Sequence, residues 1–519
     1  MNINTLISKR WVVGIFAFLL LLFAFFPVQA DTPVTEPDTD EAEAAENAIY
    51  LPIVPFGPKS SVEPTATPSA TPTKSPTLPP PEYPAGDTTY YISPAGDDSR
   101  SGLSEAEAWA TFDRAWQALY PGDTLILLDG VYLQSIIPNQ RNGEPGRPIT
   151  IRAKNDGEAI IDGQHQRVPV HLESKKYYVI EGIVAINSTY HVFWIRGGDH
   201  NSLRRVSGYN ADTDDNAHVF VIVSSEHNLI EDCAASGTGR KMVLIFMAEN
   251  NIIRRCYTDW REWDGREWGS CWPWGEGVEI YGGSFNVIEN SIAYGHTSRA
   301  GISLMAQYPQ TAIGNKILGT MAVLSGMQED VTPMVWGDTR PRPTDFTCVQ
   351  KFDQWPSLRS GFRVGDNGDI RDNLLQDIFA WGSAGLGLTF HQAGTYLPIV
   401  NNHVVRATII NNGLDNPNIF GGIQTDAIHS ELVSRFDSVE NSKIENIFIN
   451  HLSDGSRNMT SMTGEGARLT NRYIDGLLTS EPLWPWPMED RIQAELGFSV
   501  TKMMTNLIFG TSDLSEIYP

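Results

Sequence analysis

From Asp259 to Ile280 the chain reads DWREWDGREWGSCWPWGEGVEI, which sets Trp260, Trp263, Trp268, Trp272 and Trp274 among Asp259, Glu262, Asp264, Glu267, Glu276 and Glu279. Indole faces stack on the CH faces of sugar rings, and neighbouring carboxylates take hydroxyls or cations. The other reading is that the tryptophans clamp an exposed loop onto the body beneath it. Glu276 and Glu279 form a candidate acid–base pair, since two carboxylates at a suitable separation serve glycoside hydrolysis. Arg240-Lys241 and Arg254-Arg255 can orient a uronate or a sulfate. Alternation on a strand leaves only one of Arg254 and Arg255 facing outward. Asp212, Asp214 and Asp215, next to Asn216, offer clustered oxygen ligands for Ca²⁺, though not at EF-hand spacing. No C-x-x-C or H-E-x-x-H pattern occurs, so no zinc site is indicated.

The elements that must position these groups announce themselves by repetition. Six lines follow one pattern: YVIEGIVAI from Tyr178, NSLRRVSGY from Asn201, NLIEDCAAS from Asn228, NIIRRCYTD from Asn251, NVIENSIAY from Asn286 and TAIGNKILG from Thr311. Two places after each opening comes an apolar residue: Ile180, Leu203, Ile230, Ile253, Ile288, Ile313. The lines alternate over five or six residues and break at Gly, Asn or Asp, which is the grammar of strands and turns. A period of 23 to 35 residues built from such units is that of a stacked parallel β-coil. Asn at the turn tolerates left-handed geometry and can hydrogen-bond to the Asn of the next coil. The same register puts Cys233 beside Cys256 as stacked buried thiols. Cys271 and Cys348 fall in long insertions, and the sequence leaves their pairing open. A second insertion, Gln328 to Arg359, lies within about three coils of the tryptophan segment, and the two are expected to wall one groove.

Composition narrows the partners. A formal charge of −24 and a pI near 4.8 argue against nucleic acid, whose phosphates demand clustered Lys and Arg. Residues 1–30 read as a signal peptide: Lys9 and Arg10, an apolar run from Trp11 to Phe26, and a Val28-Gln29-Ala30 cleavage site. An uncleaved signal would be the chain's one membrane attachment. Residues 31–86 are acidic and then Pro/Thr-rich, too poor in apolar surface to fold, with the short apolar segment Ile49–Phe56 between the two parts. The β-coil is expected over 87–475 and a C-terminal cap over 476–519, with a short helix at Met488–Leu496. The localisation is secreted or cell-surface, and the expected state is a monomer.

The ordered chain opens with YYISPAGDDSRSG, then an amphipathic helix expected over Ser104–Leu119, with Trp109, Phe112 and Trp116 on its buried side, then PGDTLILLDGVY, PITIRA and AIIDG. A solenoid end needs such a cover for its core and open strand edges. This opening, from Thr88 to Gly163, resembles the start of right-handed parallel β-helix proteins of the pectate-lyase-like superfamily. The expected fold class is therefore all-β: a right-handed parallel β-helix with an N-terminal capping helix and an irregular C-terminal cap. That superfamily holds lyases, glycoside hydrolases, epimerases and proteins without catalysis, so the fold leaves activity open.

The resemblance supplies schemes to compare. Lyases of the chondroitinase-B-like type hold Ca²⁺ with acidic residues, abstract the C5 proton of a uronate with a Lys and assist departure with an Arg. GEGVEIYGGSFNVIENSIAYGHTSRAG is similar in outline, with Glu276 and Glu279 as the acids and Arg299 one coil on. The place of the Lys falls near Gly283-Ser284, so the base must come from elsewhere, Lys241 or His296. The polygalacturonase-like hydrolases need paired Asp from adjacent coils. Only fragments appear here, around His296 and Gln424-Thr425-Asp426, in reversed order. The expectation is an exported protein acting on an extracellular polysaccharide, as lyase or hydrolase, with Ca²⁺ as the cofactor to test. Its rival is a non-catalytic surface solenoid that binds glycan or protein.

Overall fold

The chain divides into two units, Met1–Pro79 and Pro80–Pro519. The computed structural model describes residues 87–212, 216–259, 275–295, 300–325, 360–383, 387–391, 399–410, 443–445, 448–450, 467–468, 472–479 and 488–496, all in the second unit. The signal segment, the linker, the Trp260–Trp274 segment and the Gln328–Arg359 insertion lie outside them.

Parallel strands stack coil on coil into sheets of 19, 8 and 4 strands, a right-handed parallel β-helix. Alternation explains the core. Leu125, Ile151, Ile180, Leu203, Ile230, Ile253, Ile288, Ile317, Leu375 and Val404 are register partners on successive coils, and all are buried. Burying each such side chain contributes roughly 1.5–3 kcal/mol, so one column of aliphatics clamps ten coils. Phe193 and Phe220 add a stacked pair, 4.6 Å apart, from the eight-stranded sheet.

The asparagine turns form the expected ladder. Asn201, Asn228, Asn251, Asn286, Asn315, Asn373 and Asn402 are buried, and each Oδ1 after the first accepts from both the backbone N and the Nδ2 of the Asn before it, at 2.8–3.2 Å. One expectation is corrected. The sixth coil opens at Asn315, not Thr311, and its core residue is Ile317. Thr311–Ile313 belongs to the four-stranded sheet, where its Thr-x-Ile imitates the Asn-x-Ile of the turn. Cys233 and Cys256 are register partners, both buried and reduced. Replacing Asn251 by Ala removes the acceptor for two buried donors of Asn228, and should cost about 2–4 kcal/mol in chemical denaturation. A loss below about 0.5 kcal/mol, the size of an ordinary surface change, would mean that the ladder only decorates the turn.

A second correction concerns Arg254 and Arg255. The strand Ile252–Asp259 is kinked at Arg255, whose φ of 49° is left-handed, as are those of its register neighbours Asp232 and Asn290. The kink cancels the alternation, so both guanidinium groups meet charged partners. Arg254 bridges Glu231, Glu289 and Asp475, and Arg255 bridges Glu231 and Asp232. This network fastens the antiparallel hairpin Arg472–Ile474/Leu477–Thr479 to the coils, with Glu289 accepting from the backbone N of Asp475 and Gly476. Farther on, Arg491 of the helix Glu489–Leu496 donates to the carbonyls of Arg205 and Ile183. The helix Glu489–Leu496 thus lies against the flank of early coils.

The N-terminal cover is shorter than expected. A 3₁₀ turn at Glu105–Glu107 and an α-helix at Phe112–Ala118 replace one helix over Ser104–Leu119, and Ser104 makes no capping bond. Asp98 breaks the run by accepting from the backbone N of Ala110 and Thr111 and from the Thr111 hydroxyl. Trp109 pairs with Ile92 as a bridge and donates its Nε1–H to the Arg100 carbonyl. Trp109, Phe112 and Trp116 are buried, as the pattern requires.

Candidate active site

The eight-stranded sheet carries the candidate site. Its strands are Val170–Glu173, Phe193–Arg196, His218–Val223, Lys241–Phe246, Glu276–Tyr281, Ile302–Met305, Phe362–Gly365 and Leu388–His391, paired in that order. Register sets side chains in columns. One runs His171, Trp194, Val221, Leu244, Glu279, Ser303, Arg363, Thr389; a second runs His218, Lys241, Glu276. Strict alternation would send Lys241 to the same side as the core residue Val243. Met242 is in the core as well, however, so two consecutive residues face inward and the alternation slips there. Lys241 thereby joins Glu279 and Tyr281 on the outer side.

Three of the sequence candidates meet at this slip. The Lys241 ammonium is ion-paired with Glu279, stands 3.5 Å from Glu276 and lies 5.0 Å from the Tyr281 ring centre. Both carboxylates are buried, and Lys241 is 4% exposed. The Ser303 hydroxyl, on the next coil, donates to Glu279 Oε1 at 3.1 Å. Buried charges persist only when paired or hydrogen-bonded, and this cluster meets that condition by joining two strands whose side chains converge.

Arg363 meets it less fully. It is 2% exposed, its Nη1 contacts the Met305 sulfur at 3.2 Å, and its Nε has no hydrogen-bond partner. Among the described residues no carboxylate lies within ion-pair distance of it. Burial pushes its pKa below the usual arginine value, opposed by the fields of Asp366, Glu276 and Tyr281. An arginine stays charged regardless, so the direction reports a desolvation cost that local anions only partly offset.

Beside the cluster lie two buried imidazoles. His191 and His218 stack at 5.0 Å, and the backbone N–H of His218 donates to His191 Nδ1 at 3.0 Å. Burial, with the field of His171, drives His191 down to about 3. Burial, with the fields of His191, Lys241 and Arg240, drives His218 well below its ordinary value. Toward the N-terminal coils, Trp194 stacks on His171 at 4.0 Å in the column of Glu279.

Other sequence candidates fall elsewhere. Arg240 donates to the Asn216 side chain at 2.7 Å. Asp212 is described and donates its backbone N–H to the Tyr190 carbonyl. Asp214, Asp215, His296, Arg299 and the five tryptophans Trp260, Trp263, Trp268, Trp272 and Trp274 lie outside the described residues. Sequence reasoning missed Ser303, Arg363, Thr389, Trp194 and the histidine pair. A signal was present: GVEI from Gly277, GISL from Gly301, GFRV from Gly361 and GLTF from Gly387 write one line of Gly, apolar, outward residue, apolar on four coils.

The Chondroitinase B family model matches residues 107–260, a segment that contains Arg240 and Lys241 and stops short of Glu276, Glu279 and Arg363. Among solved structures, the chain is similar to pectate lyase Pel9A (16% identity, 73% of this chain and 79% of that one, TM-score 0.44). It is also similar to a rhamnogalacturonan lyase (18%, 62% and 74%, TM-score 0.41). A third is the GH136 lacto-N-biosidase from Eubacterium ramulus (13%, 70% and 63%, TM-score 0.43). At these identities and scores the likenesses say nothing of activity. No curated protein matches the sequence. Among the described residues, no helix is long and apolar enough to cross a membrane.

Proposed function

We propose that the protein is exported and acts on an extracellular acidic polysaccharide, cleaving it on the outer face of the eight-stranded sheet. The observation that carries this reading is Arg363, a buried cation with no carboxylate partner among the described residues, two coils from the Lys241–Glu276–Glu279 cluster. Such a guanidinium suits a carboxylate or sulfate taken in bidentate fashion. The family-model match over 107–260 supports a polysaccharide as the substrate class, and the N-terminal signal pattern supports export.

In the first scheme the substrate is a uronate. Arg363 takes its carboxylate, and the Lys241 ammonium first hands a proton to Glu279. The neutral amine then accepts the C5 proton as the C4–O bond breaks, with the Glu279 carboxyl giving its proton to the leaving oxygen to complete the β-elimination. Glu276 and Glu279 offer the oxygen ligands that Ca²⁺ takes, and a bound Ca²⁺ would neutralise the substrate's carboxylate. The Lys241 ammonium already neutralises these acids, so the residues fit calcium only where Lys241 is neutral or displaced. A second scheme is favoured by that same ion pair. It keeps Glu279 ionised and oriented, as a hydrolase requires of its base or nucleophile, with Glu276 as the partner acid. The purified protein should be incubated with uronic-acid and neutral polysaccharides while unsaturated-uronate absorbance and reducing ends are followed. A rise in both identifies a lyase, and reducing ends alone identify a hydrolase. Retention without turnover leaves a glycan-binding solenoid, and neither turnover nor retention on any member sinks the carbohydrate reading.

A further inference from the structure

Outside the candidate active site, a second group of ligating side chains is assembled by the turns of two consecutive coils. The turn before Asn201 reads Asp199-His200 and the turn before Asn228 reads Glu226-His227, so the repeat writes acid-His-Asn twice in succession. Coil stacking superposes the two turns: Asp199 bridges Glu226 as a register partner, and Asn201 lies beneath Asn228. Both histidines are left-handed, with φ of 54° and 55°, the conformation that Asn250 adopts one coil on at 55°. The shared backbone geometry stacks the imidazoles at 4.8 Å with planes 17° apart.

The ligand atoms converge on one side of that stack. Asp199 Oδ1 lies 2.6 Å from His200 Nδ1 and 3.5 Å from His227 Nδ1. One ligand atom from each of the three residues lies within 4.8 Å of the others. Lys176 holds the second Asp199 oxygen, Oδ2, at 3.3 Å, which keeps Oδ1 turned to the imidazoles. Glu226 Oε2 stands 3.9 Å from His227 Nδ1 and supplies a fourth group from the same turn.

The geometry points to a surface site for a divalent transition-metal ion of the zinc class, ligated by Asp199, His200 and His227 with Glu226 as the fourth group. Two nitrogens and a carboxylate oxygen match zinc's preferences, whereas calcium takes oxygens alone. Tetrahedral zinc with ligand bonds of about 2.0–2.1 Å sets its ligand atoms roughly 3.3 Å apart. The three ligand atoms lie within 4.8 Å of one another, and the two exposed imidazoles close on the ion by turning out of their stack. Sequence motifs for zinc miss such a site because its ligands are adjacent through coil stacking, 27 residues apart. The role that follows is a clamp between two coils, independent of any turnover at Lys241.

The test is calorimetric titration of the full, untagged chain with ZnCl₂ and NiCl₂, with CaCl₂ as the contrasting ion. One zinc ion per chain should bind, nickel should compete and calcium should not. His200→Asn and His227→Asn copy the residue of the next coil at the same φ, so they preserve the turn while removing a ligand. Losing an outer partner of a metal ligand costs roughly 10–100-fold in affinity, so each should weaken zinc by about 100-fold or more. His165→Ala, at an exposed histidine outside the group, should leave binding unchanged. Absence of zinc binding, equal binding by the His200→Asn/His227→Asn double variant, or displacement by calcium would each overturn the assignment.

Discussion

Lys241→Met should lose turnover on the polysaccharide by about 100- to 10,000-fold, the span typical of a proton-transfer group, and should lose about 3–5 kcal/mol of stability. Both effects come from one ammonium. Glu279 and Glu276 are buried, and Lys241 pairs with the first and lies 3.5 Å from the second. Removing it strands two carboxylates in a place that water does not reach. Lost activity in the single variant would therefore be ambiguous, and a second variant separates the roles. Lys241→Met/Glu279→Gln removes one stranded charge, so it should recover at least about 2 kcal/mol of the loss while turnover stays absent. Glu279→Gln alone keeps the ammonium beside Glu276 and should bind glycan with turnover gone. Chemical denaturation and initial rates on the same three proteins decide the matter. Full turnover in the destabilised Lys241→Met protein would make the cluster a structural ion pair and move the chemistry elsewhere.

The fold was legible because a coil repeats its demands. Each turn needs an Asn to pass a hydrogen bond onward and each coil needs an aliphatic residue two places later, and both recur in one line of sequence. The misplacement at Thr311 shows the limit of that reading, since apolar spacing alone cannot tell a turn strand from a neighbouring short strand. Glu276 and Glu279 were legible as carboxylates flanking a tryptophan-rich insertion. Their junction with Lys241 was only one of two suggested bases, because it depends on Met242 and Val243 both entering the core. Arg363 was hidden differently. The insertion from Gln328 to Arg359 separates it from the preceding coil, and only register shows it two coils beyond Glu279. Arg254 and Arg255 were misjudged by a strand rule that a left-handed residue suspends.

The protein should also lose stability steeply in acid, and the histidine pair beside the cluster gives the reason. His191 and His218 are 4% and 2% exposed, and His191 Nδ1 already accepts the backbone N–H of His218, so that nitrogen cannot take a proton while the bond stands. The folded pKa of His191 is about 3 and that of His218 lies well below 6.5, chiefly through burial. The sign follows from linkage. Both groups bind protons more readily in the unfolded chain, so their contribution is fully present above about pH 6.5 and falls as pH drops toward the folded values. Such a group costs up to roughly 1.4 kcal/mol per pH unit, so His191 should remove about 2 kcal/mol between pH 6.5 and 4.5, and His218 adds to the loss in the same direction. Carboxylates contribute to acid unfolding too, and a variant isolates the imidazoles. His191→Asn/His218→Asn keeps an acceptor at position 191 and titrates nowhere in this window. Denaturation midpoints followed from pH 7 to 4.5 should fall much less in this variant than in the wild type. Parallel slopes would show that the imidazoles gain their protons without unfolding, and that the loss belongs to the buried carboxylates. Because His218 and Lys241 are register partners on adjacent strands, acid loosening that starts at the pair reaches the candidate active site first.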